Sequence, residues 1–527
     1  VILINPPVVK PCEAPAGIAK LAGAVQKHHI PCSVLDANLE ALLSLLERAP
    51  ARQDTWTRVA SRRLPENLKL LVSPEGYENF DRYKRAVMGV NRMLENAAWS
   101  RGIRLSFAKY TDPELSPLRS ADLIRAWTSP EKNLFYPYFS KRLLDLLEKR
   151  GTDIVGLSLN YLSQALCTFA IAGFLKRQPA NLKVILGGGL ITSWMSRADW
   201  KNPFDGLVDL MVPGPGEDAL LAVAGASGTH DYGLPEYEAF PCEDYFAPGF
   251  ILPYSASSGC YWGKCSFCPE NAEGNRFRPV QVKEVVGDLQ ALVERRKPVL
   301  IHFLDNAMSP ALLETLSGQS PGAPWYGFAR ITKELEDRDF CETLKRSGCR
   351  MLKLGLESGD QQVLESLCKG IDLGTASPAL RALKKAGIAT YVYLLFGTPA
   401  ETAEAAHRTL DFTVRHAESI DFLNLAIFNM PAYGADAEKF ETQEFYEGDL
   451  SLYKNFTHPH GWDRSAVRRF LDREFKRHPA IAGILRRDPP FFTSNHAPFF
   501  RPVMSAAAEG KGGGPAQLKR PLKSTTL

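Results

Sequence analysis

Three cysteines, Cys260, Cys265 and Cys268, fall within nine consecutive positions of a 527-residue sequence. Thiols this close together do metal or redox chemistry, and three explanations compete. A structural zinc ion takes four ligands, usually as two close pairs; here the fourth would have to come from afar, from His302, Cys341 or Cys349. Cys265-Ser266-Phe267-Cys268 has the spacing of a disulfide-exchange pair, which leaves Cys260 without a role. An iron–sulfur cube on three thiolates uses all three, and its fourth iron stays open to chelation by a small molecule. The cube accounts best for both number and spacing. The other seven cysteines (Cys12, Cys32, Cys167, Cys242, Cys341, Cys349 and Cys368) are scattered and read as small buried apolar residues.

The elements that must position this loop follow from the hydrophobic pattern. Apolar runs at 1–5, 32–35, 154–159, 183–186 and 207–212 read as strands, with helical spacing at 16–28 and 162–176 between them. A polar, mostly helical stretch at about 40–150 interrupts the alternation and reads as an insertion. A second series of strand-like runs begins at 250–254 and continues at 299–303, 325–328, 350–354, 389–396 and 422–428, with helical patterns between. Strands alternating with helices predict α/β architecture: a Rossmann-like parallel sheet, then a partial (β/α)6 TIM-type barrel. Barrel chemistry sits where strands end, and the cysteines follow the first strand of the second series. The expected domains are 1–248 (insertion about 46–145), 249–430 and an irregular, partly helical extension at 431–504, with a disordered tail at 505–527.

Composition excludes several partners. Hydrophobic residues make up 45 % and the formal charge is +4, so no strong field favours nucleic acid or anionic membranes. No apolar run reaches the roughly 20 residues of a membrane helix, and no charged-then-apolar leader opens the sequence, so the expected location is cytoplasmic. His458 and His460, flanking Pro459, read as an exposed loop, and the basic stretch 464–487 as solvated helical faces.

Five segments in order resemble the radical S-adenosylmethionine superfamily. Ser257-Ser258-Gly259-Cys260 through Cys268, with Phe267 before the last cysteine, is similar to its cluster loop. His302-Phe303-Leu304-Asp305-Asn306 resembles the acidic end of the second barrel strand, and Arg330 closes the third. Gly355-Leu356-Glu357-Ser358-Gly359 with Lys369-Gly370, then Ala386-Gly387-Ile388 and Gly397-Thr398-Pro399-Ala400-Glu401-Thr402, resemble the fourth- and fifth-strand segments. The loop departs from the family in having four residues, not three, between its first two cysteines; Gly263 offers the freedom to absorb the extra one.

The resemblance implies a [4Fe-4S] cluster on Cys260, Cys265 and Cys268 that reductively cleaves S-adenosyl-L-methionine to a 5′-deoxyadenosyl radical, which abstracts hydrogen from a small-molecule or peptide substrate. It implies a low-potential electron donor such as flavodoxin or ferredoxin. Phe267 would contact adenine, Glu357 or Ser358 the ribose or amino group, Arg330 the methionine carboxylate, and Gly397 would let the chain pass close to adenine. The first domain resembles the cobalamin-binding type through Asn5-Pro6-Pro7, Gly156-Leu157-Ser158-Leu159, Gly187-Gly188 and Gly216-Glu217. This makes Ser158, Gly187 and Gly188 candidate cofactor contacts. At the position of the family's cobalt-ligating histidine the sequence reads Asp36-Ala37-Asn38-Leu39-Glu40-Ala41. Two readings therefore stay open for this domain: cobalamin with methyl transfer, or a cofactor-free domain beside another hydrogen-abstraction reaction. A non-catalytic zinc- or corrinoid-binding protein is the alternative of another class.

Overall fold

A computed structural model describes residues 1–49, 54–178, 181–226, 228, 231–445, 447–489 and 496–500. The tail expected at 505–527 lies outside them.

Two parallel sheets organise the chain. The first holds β1 (Ile2–Ile4), β2 (Ser33–Leu35), β3 (Ile154–Ser158), β4 (Lys183–Gly187) and β5 (Leu210–Val212) in the order β2-β1-β3-β4-β5. The second holds β6 (Ile251–Tyr254), β7 (Leu300–Met308), β8 (Trp325–Ala329), β9 (Cys349–Glu357), β10 (Ala389–Phe396) and β11 (Phe422–Ile427), neighbours in sequence order. Every pairing within both sheets is parallel. The fold is thus the expected Rossmann-like sheet plus a six-stranded partial barrel.

Period-two alternation divides the barrel residues into two sets. Leu352, Leu354 and Leu356 of β9 join the large apolar core under the surrounding helices. Leu300, Tyr326, Met351, Tyr391 and Phe422 point the other way and build an apolar floor inside the barrel. Residues 496–500 plug that floor: the His496 ring lies 4.3 Å from both Tyr391 and Phe422. The outer core is continuous across the two sheets, running from Leu3, Ile18 and Ala22 through Tyr237 and Tyr245 to Leu252 and Ile301. The interruption at about 40–150 is mainly helical, as its polarity and spacing predict, with one short hairpin (Arg104–Ser106 and Lys109–Thr111).

Some expectations change. β7 and β9 run to nine residues each, longer than their apolar runs: β7 pairs again with β8 at Met308 after a bulge that follows Phe303, and β9 pairs through Glu357 with Leu394 of β10. The helical stretch after β8 breaks at Asp337, whose carboxylate accepts the Asp339 N–H and starts a new helix, Arg338–Arg346. His458 is buried, not exposed, because its Nε2 donates to the Thr398 carbonyl at 2.8 Å. Of the seven scattered cysteines, Cys32 is half-buried and Cys368 is exposed. No helix among the described residues is long and apolar enough to cross a membrane.

Candidate active site

The loop after β6 is pinched shut at its base. Ser257–Ser258 pairs antiparallel with Arg278–Pro279. Asp305 of β7 accepts the Ala256 N–H at 3.0 Å and the Ser257 hydroxyl, and Asn306 Nδ2 donates to the Gly259 carbonyl at 3.3 Å. Gly259 has φ +71°, and a Cβ there would overlap the Arg276 carbonyl, so glycine alone fits the pinch.

Within the loop Cys260, Cys265 and Cys268 are free thiols and together line one cavity of about 310 Å3. Among the described residues no three His, Cys, Asp or Glu side chains close round a single metal ion. Asn271 Nδ2 donates to the Cys265 carbonyl at 3.3 Å, and the Ser266 N–H to the Leu367 carbonyl at 3.1 Å. Burial raises the Cys265 thiol pKa against the pull of Lys369 and Arg330. Burial also raises Cys268, against N–H groups of Glu270 and Asn271. Thiols held neutral in this way ionise when a cation binds.

The extra residue of the four-residue spacer is anchored by Trp262. Its indole N–H donates to the Cys368 carbonyl at 2.9 Å. Its ring fills the place where a side chain on Gly370 (φ +64°) would sit. The Arg330 guanidinium stacks 4.2 Å above the ring and donates to the Lys369 carbonyl. Lys369 Nζ in turn pairs with Glu357 Oε1 at 2.9 Å and lies 5.5 Å over the Phe267 ring. Glu357 ends β9 with φ +69°, and Gly355 leaves the room that the ion pair occupies. Thus Phe267, Arg330 and Glu357 are brought to the cysteine loop. Lys369 and Trp262 join them; the sequence assigns neither a role, and a tryptophan inside the lengthened spacer is the signal that could have pointed to it.

Ser358 and Gly397 fall elsewhere. The Ser358 hydroxyl is buried against Thr409 Oγ1 at 3.1 Å and accepts the Asp360 N–H, so it ties β9 to helix Ala403–Arg415. Gly397 (φ +78°) donates its N–H to Glu401 and lines a separate cavity of about 440 Å3 with Phe428, Asn429 and Arg464.

On the first sheet the candidates share the carboxyl edge. Ser158 Oγ accepts from Asn160 Nδ2 at 3.0 Å, and Gly188 turns with φ +108° hard against the Leu159 carbonyl. Only single atoms, at 3.7 Å, come near a Cβ placed on Gly187 or Gly189, and nothing comes near one on Gly214. Tyr161 beside them is 58 % exposed. Asn38, at the position of the missing histidine, exchanges two 2.9 Å hydrogen bonds with the Val9 backbone. Glu273, past the cysteine loop, accepts from Ser193 Oγ at 2.6 Å and from the Tyr433 hydroxyl at 3.0 Å, bridging to the first domain.

An open-edged parallel sheet joined to a partial barrel with three free thiols in its first loop defines the class. Residues 254–413 match the profile of the Radical SAM superfamily, and through them the chain carries a radical SAM domain. It is 24% identical over 304 residues to an uncharacterized methyltransferase of Pyrococcus horikoshii, covering 51% of this chain and 65% of that protein. It is 30% identical over 175 residues to bacteriochlorophyllide d C-12(1)-methyltransferase of Chlorobaculum tepidum, covering 32% of this chain and 38% of that one. The chain therefore spans less than two thirds of either relative's length. The radical S-adenosylmethionine methyltransferase TsrM of Kitasatospora setae, solved with cobalamin and a [4Fe-4S] cluster bound, shares the fold. Its TM-score is 0.53 at 15% identity, over 98% of this chain and 93% of that one.

Proposed function

We propose that the chain is a radical S-adenosylmethionine enzyme that transfers a methyl group with the help of cobalamin. Residues 1–248 would form the corrinoid domain and 249–430 the radical domain. The observation that carries the reading is the set of three free thiols around one cavity at the carboxyl end of the first barrel strand. The donor set fits a [4Fe-4S] cluster, since three free thiols lining one cavity suit three corners of a cube and leave the fourth for a ligand. Such a cluster supplies the low-potential electron that splits S-adenosylmethionine into methionine and a 5′-deoxyadenosyl radical. The glycine-lined carboxyl edge of the first sheet leaves open surface where a flat macrocycle would rest, and a corrinoid there supplies the methyl group. Asn38 is hydrogen-bonded to the Val9 backbone, so that segment would offer a corrinoid no imidazole.

The chain's own residues do the positioning. Arg330, flattened on Trp262, presents its remaining N–H groups to a carboxylate. Glu357, held by Lys369, offers a carboxylate oxygen to a ribose hydroxyl or an ammonium group. Phe267 offers a ring face and backbone to a purine. The ten unpaired cysteines suit a reducing cytoplasm, where a flavodoxin or ferredoxin would be the electron donor.

The test is anaerobic incubation of reduced, cluster-loaded protein with methylcobalamin and methyl-labelled S-adenosylmethionine. Formation of 5′-deoxyadenosine together with S-adenosylhomocysteine supports the reading. 5′-Deoxyadenosine without S-adenosylhomocysteine removes the methyl transfer, and neither product removes the enzyme.

A further inference from the structure

Inside the barrel, one layer above the apolar floor, three ionisable side chains form a chain that crosses between domains. Glu13 leaves the loop after β1, on the carboxyl edge of the first sheet. Its two carboxylate oxygens each lie 3.0 Å from His302 Nδ1 on β7. His302 Nε2 lies 2.9 Å from Lys353 Nζ on β9. The imidazole stacks on Tyr326 with centroids 4.3 Å apart, and the Lys353 ammonium rests 5.0 Å over Tyr326 and 4.9 Å over Phe328. Lys353 is 1 % exposed and His302 7 %.

Charge fixes the hydrogens. Burial pushes Lys353 down to about 8, with Glu13 opposing. Burial keeps His302 below its usual value although Glu13 pulls the other way. Burial disfavours the Glu13 carboxylate, yet His302, Lys353 and Lys10 hold its pKa below the usual range. At neutral pH the chain is therefore ammonium, neutral imidazole, carboxylate. Lys353 donates to Nε2, Nδ1–H donates to Glu13, and every buried charge has its partner.

The loop that carries Glu13 is tied firmly to its own domain. Val8 exchanges hydrogen bonds with Ser163, Val9 with Asn38, and Gln164 Nε2 donates to Asn5 and Pro6. A loop on the carboxyl edge of the first sheet thus reaches the barrel interior with the Glu13 carboxylate.

We propose that Glu13, His302 and Lys353 are positioning residues: a buried electrostatic latch that seats the carboxyl edge of the first sheet over the barrel mouth and so shapes the corrinoid site between the domains. The proposal rests on the corrinoid reading above. Lys353, deep in the barrel, acts on that site through Glu13 and not by contact.

Methylcobalamin binding to the full-length, cluster-loaded chain, followed by absorbance in the dark, tests it. Lys353→Met and Glu13→Gln should each weaken binding about tenfold while iron stays at about four per chain. The double variant Glu13→Gln/Lys353→Met removes both charges, so it folds without an orphaned buried ion; it should lose about as much as either single variant, because one latch is broken once. Wild-type affinity should fall as pH rises through about 8, where Lys353 loses its proton, and Lys353→Met should lack this dependence. Lys10, Cys12, Tyr161, Tyr237, Tyr326 and His496 also face the latch, so the dependence belongs to Lys353 only if that variant abolishes it. Wild-type affinity in either single variant or in the double variant overturns the latch, as does an unchanged pH profile in Lys353→Met. A wild-type chain that binds no methylcobalamin overturns the corrinoid reading itself, and the latch's role with it.

Discussion

Trp262 shows what one inserted residue does. The spacer between Cys260 and Cys265 is one residue longer than the family pattern, and the added length is pinned to Cys368, Gly370 and Arg330 by a single indole. Trp262→Ala should free the Arg330 guanidinium. A lost cation–π contact at a half-exposed site is worth about 1 kcal/mol, so S-adenosylmethionine binding should weaken about fivefold with iron content unchanged; Trp262→Phe, which keeps a ring, should lose less. Equilibrium binding to the cluster-loaded chain reads both. Cys265→Ala should drop iron from about four per chain to below one, whereas Cys32→Ala, at a half-buried site far along the chain, should leave it unchanged. The cysteine spacing was legible because ligand chemistry demands a pattern that packing does not. Glu13, His302 and Lys353 were not legible as a group. They lie 289 and 51 positions apart, and only the closed barrel places them side by side.

At the scale of elements, turns carry the site. Gly259→Ala would drive a methyl group into the Arg276 carbonyl and open the bridge between Ser257–Ser258 and Arg278–Pro279. The expected cost is about 2 kcal/mol or more, read as a lower melting temperature with faster loss of iron. The turn after β10 holds a buried carboxyl, Glu401, which burial raises to about 7 against hydrogen bonds from the Gly397 N–H and the Trp462 indole. A carboxyl raised in the folded state favours folding at pH below its unfolded value and loses that benefit as pH rises through about 7. Stability should therefore fall between pH 5 and 8, and Glu401→Gln, which stays neutral, should flatten the fall; thermal melts at the two values check it. The strands themselves were readable from apolar runs. Their ends were not: β7 continues past a bulge that holds Asp305, β9 pairs on through Glu357, and the hydroxyl of Ser358 goes to Thr409.

At the scale of the whole molecule, the first sheet and the barrel share one continuous apolar core, and polar contacts also cross between them. Glu273 ties the cysteine loop to Ser193, and Glu13 ties the first sheet's edge to the barrel interior. Alternation of strands and helices disclosed the two sheets in the sequence. Their mutual placement depends on contacts between residues hundreds of positions apart, in the shared core and in these polar ties, which no local pattern reports. What unites sheet, barrel and loop is the claim that three thiols hold a cube whose fourth corner is free for S-adenosylmethionine. Electron paramagnetic resonance of the reduced, reconstituted chain, before and after adding S-adenosylmethionine, tests this most directly. The expected result is a [4Fe-4S] signal with about four irons per chain that changes shape when the nucleotide binds. A signal indifferent to S-adenosylmethionine, or one zinc per chain and no iron, would contradict it.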